Sequence, residues 1–201
     1  MIFINMGNLV LENKKRRNVI RALVRDIITV FKSEDEGEYY LPNYLDKDDF
    51  YNFLDFNHDL VVELVLIENK SLDDFKIDAN LWRDENTIEV TITYNPSMKS
   101  NITFKLIGEL NEVIAHEIRH IDQKNKNIFN LDIPEELDSY KYYTQPHEID
   151  AQVFGFKRLS KLTKRSFEDV VREWFDTHED VHRLNNEQVE DVISKLLNYK
   201  K

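Results

Sequence analysis

Two stretches of this chain place histidines four residues apart with a glutamate after the first: His116-Glu117-Ile118-Arg119-His120, and His178-Glu179-Asp180-Val181-His182. On a helix, residues four apart lie one turn above each other on the same face. His116 and His120 can therefore offer two imidazoles to one ion. Glu117 is rotated about 100° from His116, which puts it beside such an ion as a proton acceptor. Zinc lowers the pKa of a bound water towards about 7, so a hydroxide-like nucleophile becomes available near neutrality. Context separates the two copies. Val113, Ile114, Ala115, Ile118 and Ile121 clothe the first, which predicts a buried helix with a dry wall. Asp176, Glu179, Asp180 and Arg183 surround the second, the composition of a solvated helix surface with two exposed histidines.

Catalytic zinc takes three protein ligands and leaves one position for water. The third is sought in "YKYYTQPHEIDAQVFGF", where Pro146 can open a helix. Glu148, in its first turn, is the leading choice. Ala151 lies three residues on along the same face, small enough to let two helices approach, and Phe154 continues the face. Asp150 projects roughly 200° away from Glu148, so both cannot face one ion; Asp150 could instead orient a ligand histidine. His147 remains an alternative third ligand. Tyr142 and Tyr143, shortly before Glu148, are candidates to steady an oxyanion, or else ordinary aromatic packing.

These side chains must be positioned by a fold, and the periodicity predicts α+β. Residues 16–32 carry Val19, Ile20, Leu23, Val24, Ile27, Val30 and Phe31 at helical spacing. An acidic, aromatic stretch, residues 33–57, reads as a loop holding a short helix. Asp59–Glu68 reads as a buried strand and "FKIDANLWRD" as a second. Asn86–Asn95 alternates Ile88, Val90, Ile92 and Tyr94 with polar residues, which predicts a strand with one wet face. From about Thr103 to Lys124 the period is helical again, through Phe104, Ile107, Leu110, Ile114, Ile118 and Ile121. Further helices are expected after Pro146, from Ser166 with a capping-box-like "SFED", and from about Asn186. The expectation is one domain over residues 1–201: an N-terminal helix and acidic loop (1–58), a short antiparallel or mixed sheet (59–95), and a helical half (102–201) with the HExxH helix packed on the sheet.

Composition narrows the function classes. The net charge of −11 disfavours nucleic acid and anionic membranes as partners. The basic run Lys14–Arg17 reads as a solvated helix start. With no cysteine, disulfides, thiolate ligands and cysteine nucleophiles are excluded. No apolar run reaches the roughly 20 residues that span a bilayer, and the N-terminal order of apolar then basic residues is the wrong one for a secretory signal. The expected location is the cytoplasm. Gly7, Gly37, Gly108 and Gly155 are too dispersed for a phosphate loop, and no G-x-S-x-G occurs.

The pair "HEIRH" and "EIDAQVFG" resembles the gluzincin branch of zinc metallopeptidases. It is similar in particular to small phage-encoded versions and to the ImmA/IrrE-like peptidases, whose downstream motif reads E-x-x-A-x-x-F-A. Glu148, Ala151 and Phe154 match that motif, and Gly155 stands in place of its last alanine. The resemblance covers about Ile88 to Phe156. It implies a zincin-like fold, Zn²⁺ on His116, His120 and Glu148, Glu117 as general base, and an edge strand before the HExxH helix that pairs with extended substrate. "TIEVTITYN" is in the place for that strand. Two positions depart from the pattern: Arg119 is usually uncharged in such enzymes, and Gln152 stands where thermolysin-like enzymes have an aspartate. The activity expected is a zinc-dependent endopeptidase acting on a peptide or protein substrate. The alternative is a zinc-binding structural or interaction protein without catalysis, and a third reading is a helical scaffold without metal.

Overall fold

The computed structural model describes residues 6–41, 60–82, 87–129 and 137–199, with side chains from Arg16 onward in the first segment. It is α+β. Helix α1 (Met6–Ser33) is followed by strands β1 (Gly37–Tyr40), β2 (Val61–Glu68), β3 (Phe75–Trp82) and β4 (Thr87–Tyr94). A 3-10 turn (Pro96–Met98) leads into helix α2 (Lys99–Lys126). Then come α3 (Ser139–Tyr143), α4 (Pro146–Thr163), α5 (Phe167–Thr177), the short α6 (Glu179–His182) and α7 (Asn186–Asn198). Of the stretch 33–57 expected to hold a short helix, residues 42–57 lie outside the described residues. The chain groups into two compact units, Met1–Ile114 and Ala115–Lys201.

In the first unit the sheet order is β1-β2-β4-β3. β1 pairs antiparallel with β2, β2 parallel with β4, and β3 antiparallel with β4, so the sheet is mixed. The alternation read in β4 is real: Ile88, Val90, Ile92 and Tyr94 are wholly buried. The edge-strand expectation is overturned, however. Between β2 and β3, the β4 backbone has ladder partners on both sides and offers no free edge to an extended peptide.

β2 also differs from its reading as fully buried. Val62, Leu64 and Leu66 face inward, while Glu63 and Ile67 are exposed. β1 falls within the stretch expected to be loop. It is an edge strand of only four residues, Gly37-Glu38-Tyr39-Tyr40, too short and without the apolar alternation that would make it stand out. Asn95 joins the ends of these strands. Its Nδ2 donates to the carbonyls of Lys70 and Leu72, and its Oδ1 accepts from the Ser97 N–H that opens the 3-10 turn. Phe31 of α1 packs edge-on against Tyr94, ring centroids 5.0 Å apart.

Along α2 the buried stripe is Ile102, Leu106, Leu110, Ile114, Ile118 and Ile121. Phe104, expected on that stripe, is 89% exposed. It sits about 200° around the helix from Leu106, so burying Leu106, Leu110 and Ile114 turns it to solvent.

In the second unit, Ile149, Val153 and Phe156 of α4 pack with Val170, Val171 and Phe175 of α5, Leu184, and Val192, Ile193 and Leu196 of α7. The caps agree with the sequence. Pro146 occupies the first turn of α4, the Ser166 side chain accepts from Asp169 N–H, and Asn185 with Gln188 closes a full capping box on α7. Among the described residues no helix is long and apolar enough to cross a membrane.

Candidate metal site

His116 and His120 project from one face of the C-terminal half of α2, and Glu148 from the first turn of α4. Their ligating atoms converge. His116 Nε2 lies 3.4 Å from Glu148 Oε2, and His120 Nε2 lies 3.3 Å from Glu148 Oε1. The two Nε2 atoms are 2.9 Å apart. These three side chains form a group able to hold a metal ion. Nitrogen and oxygen ligands about 2.0–2.2 Å from a tetrahedral ion lie about 3.3–3.6 Å from one another. Both imidazole–carboxylate spacings meet that value, and the imidazoles need to part by only about half an ångström. Glu148 Oε2 is buried with no hydrogen-bond partner, which suits a ligand atom better than a structural carboxylate. The His116 side chain is 13% exposed against 2% for Glu148, so the cluster meets solvent on the His116 side.

Burial works to raise the pKa of the Glu148 carboxyl. The imidazoles of His116, His120 and His147 more than offset it and hold the group far below the usual carboxylate range.

His147 is buried beside this group, with Nε2 3.2 Å from Glu148 Oε1. It is not one of the three converging residues. Asp150, on the other side of α4, receives a two-pronged contact from Arg119, Nε to Oδ2 at 2.7 Å and Nη2 to Oδ1 at 3.1 Å. Arg119 is the charged residue at a position that the resembled pattern leaves uncharged. It is largely buried against Asp150, with its guanidinium over the Phe154 ring.

Glu117 is 7% exposed and close enough to Tyr142 to act on its charge. Burial, then the carboxylates of Glu148 and Glu117, push the Tyr142 hydroxyl well above its ordinary pKa. Tyr142 therefore stays protonated, a donor beside the cluster. Tyr143 turns its ring toward Trp174 and Phe175, centroids 6.3 and 6.1 Å away.

The second HExxH does not present two ligands on one helical face. His178 is the residue between α5 and α6, and stacks on Trp174 at 4.7 Å. His182 is buried at 1% exposure, contrary to the expectation of an exposed residue. Its Nε2–H donates to the Phe175 carbonyl and its Nδ1 accepts from the Leu184 N–H. With both nitrogens held by backbone, it has no lone pair to give.

One residue escaped the sequence reading. Gln123, wholly buried, places Oε1 2.9 Å from His120 Nδ1. The signal was available, since position 123 is one turn beyond His120 on the same face.

No protein-family description, curated protein or solved structure matches the chain.

Proposed function

We propose that the chain is a zinc-dependent endopeptidase of gluzincin type. The observation that carries the reading is the convergence of His116, His120 and Glu148 from two helices, with Glu117 and Tyr142 beside them. His116, His120 and Glu148 would hold the ion. When bound, zinc supplies Lewis acidity and a water acidic enough to act as nucleophile near neutral pH.

The chain's own groups do the rest. Glu117 takes the proton of the attacking water and hands it to the departing amine of a peptide substrate, a general base and then a general acid. Its position next to His116 in sequence, about 100° around the helix, lets it flank the ligands without joining them. Tyr142 donates its hydroxyl hydrogen to the oxyanion that forms at the scissile carbonyl. Its raised pKa keeps that hydrogen in place at neutral pH.

The test is cleavage of an unstructured protein such as casein by the zinc-loaded chain, with and without chelator, beside Glu117→Gln. Removing a positioned general base costs about 10²–10⁴ in rate. The variant should therefore keep its zinc and lose at least about 100-fold in cleavage. Full activity in Glu117→Gln refutes the general-base role. Bound zinc with no cleavage in any condition refutes the peptidase and assigns the ion a structural role.

A further inference from the structure

Asp150 is buried, and its two oxygens are met by donors: Arg119 Nε at 2.7 Å and Gln123 Nε2 at 2.9 Å on Oδ2, Arg119 Nη2 at 3.1 Å and the Tyr199 hydroxyl at 3.0 Å on Oδ1. The second hydrogen of the Gln123 amide goes to the His147 carbonyl at 2.8 Å. Both acceptors at that end of the amide are oxygens without hydrogen. A flipped Gln123 would set its own carbonyl oxygen against a carboxylate and a carbonyl in a buried site, losing both hydrogen bonds and bringing like oxygens together. The amide is therefore held one way round, with Oε1 toward His120 Nδ1. Against an acceptor, Nδ1 must carry the imidazole hydrogen. His120 Nε2, which faces His116 and Glu148, then keeps its lone pair.

We propose that Asp150, clamped by Arg119 and Tyr199, sets the tautomer of His120 through Gln123 and so keeps its Nε2 free to ligate a metal. Asp150 and Gln123 are positioning residues: they touch a ligand or its partner and never the ion. The proposal rests on the metal-site reading above. It gives Arg119 a task at a position where such enzymes usually lack charge. It also makes Tyr199, the residue that closes α7, part of the metal centre's support.

Outer partners of metal-bound histidines are typically worth 10–100-fold in metal affinity. Asp150→Asn can turn its amide toward Gln123 and let that side chain flip. Gln123→Leu removes the acceptor at nearly constant size. Two readouts apply to each: zinc affinity by competition with a chromogenic chelator, and the His120 tautomer in metal-free protein from long-range proton–nitrogen NMR correlations. In the wild-type chain His120 should be the Nδ1–H form. In both variants the Nε2–H form should be populated, and zinc affinity should fall by about 10–100-fold. The second variant serves if the first does not fold.

An unchanged tautomer in a folded variant overturns the proposal, whether affinity falls or not, because a merely structural role would lower affinity without moving the hydrogen. Wild-type protein that binds no zinc overturns the metal-site reading and this inference together. Wild-type binding with unchanged tautomers overturns the inference alone.

Discussion

Zinc should raise the melting temperature of the wild-type chain, and Glu148→Gln should remove most of that rise. The ligand atoms already stand 2.9–3.4 Å apart, so little rearrangement opposes binding. The lower end of zinc affinities for protein sites, about 10 kcal/mol, corresponds to a Kd of about 50 nM. About 50 µM free zinc is then roughly 1,000 times Kd and stabilises the folded chain by about 4 kcal/mol. For a chain of this length that is about 8–16 °C in Tm, and more if Ala115–Lys201 melts on its own. Glu148→Gln keeps the size of the side chain and loses its charge. A loss of about 100-fold in affinity leaves about 1.4 kcal/mol and roughly 3–6 °C. The assay is thermal unfolding followed by circular dichroism, each variant compared with itself in zinc and in chelator, so that its intrinsic stability cancels. A wild-type shift below about 2 °C, or equal shifts in the two proteins, refutes the reasoning.

His182→Ala should destabilise the chain by about 3–5 kcal/mol, because it leaves the buried Phe175 carbonyl and Leu184 N–H without partners and opens a cavity, yet zinc binding should be unchanged; urea unfolding measures the first and chelator competition the second. Glu109 has its pKa pushed up to about 7 by burial, with Asp74 adding to the rise and Lys105 opposing it. A folded pKa above the unfolded value means its stabilising contribution is present below about pH 4.5 and lost as pH rises through about 7. Glu109→Gln should therefore raise Tm at pH 8 and change it little at pH 5, and the opposite order would show that Glu109 is not buried in this way.

The cluster able to hold a metal was legible because a helix converts spacing into geometry: His116 and His120 share a face by arithmetic alone, and Pro146 marked the start of the helix that presents Glu148. The start of the helix after Ser166 was legible for the same local reason, through its cap. What was not legible depended on pairing across the chain. The alternation of β4 showed a strand but carried no information on its neighbours, so its place between β2 and β3 appeared only with the sheet. Phe104 fitted a helical period that Ile102, Leu106 and Leu110 fit better. The burial of His182 amid charged neighbours was hidden, since Phe175 and Leu184 supply backbone partners that no composition reveals. The partner of Arg119 was equally hidden, since Asp150 lies 31 residues away in the chain and only the packing of the helices sets it opposite.

The most direct test of the central claim is metal analysis of purified protein after zinc loading and dialysis, for the wild-type chain, His116→Ala and His178→Ala. One zinc per chain in the wild-type and His178→Ala proteins, lost in His116→Ala, is the predicted result. Zinc absent from the wild-type chain, or lost only in His178→Ala, would contradict it.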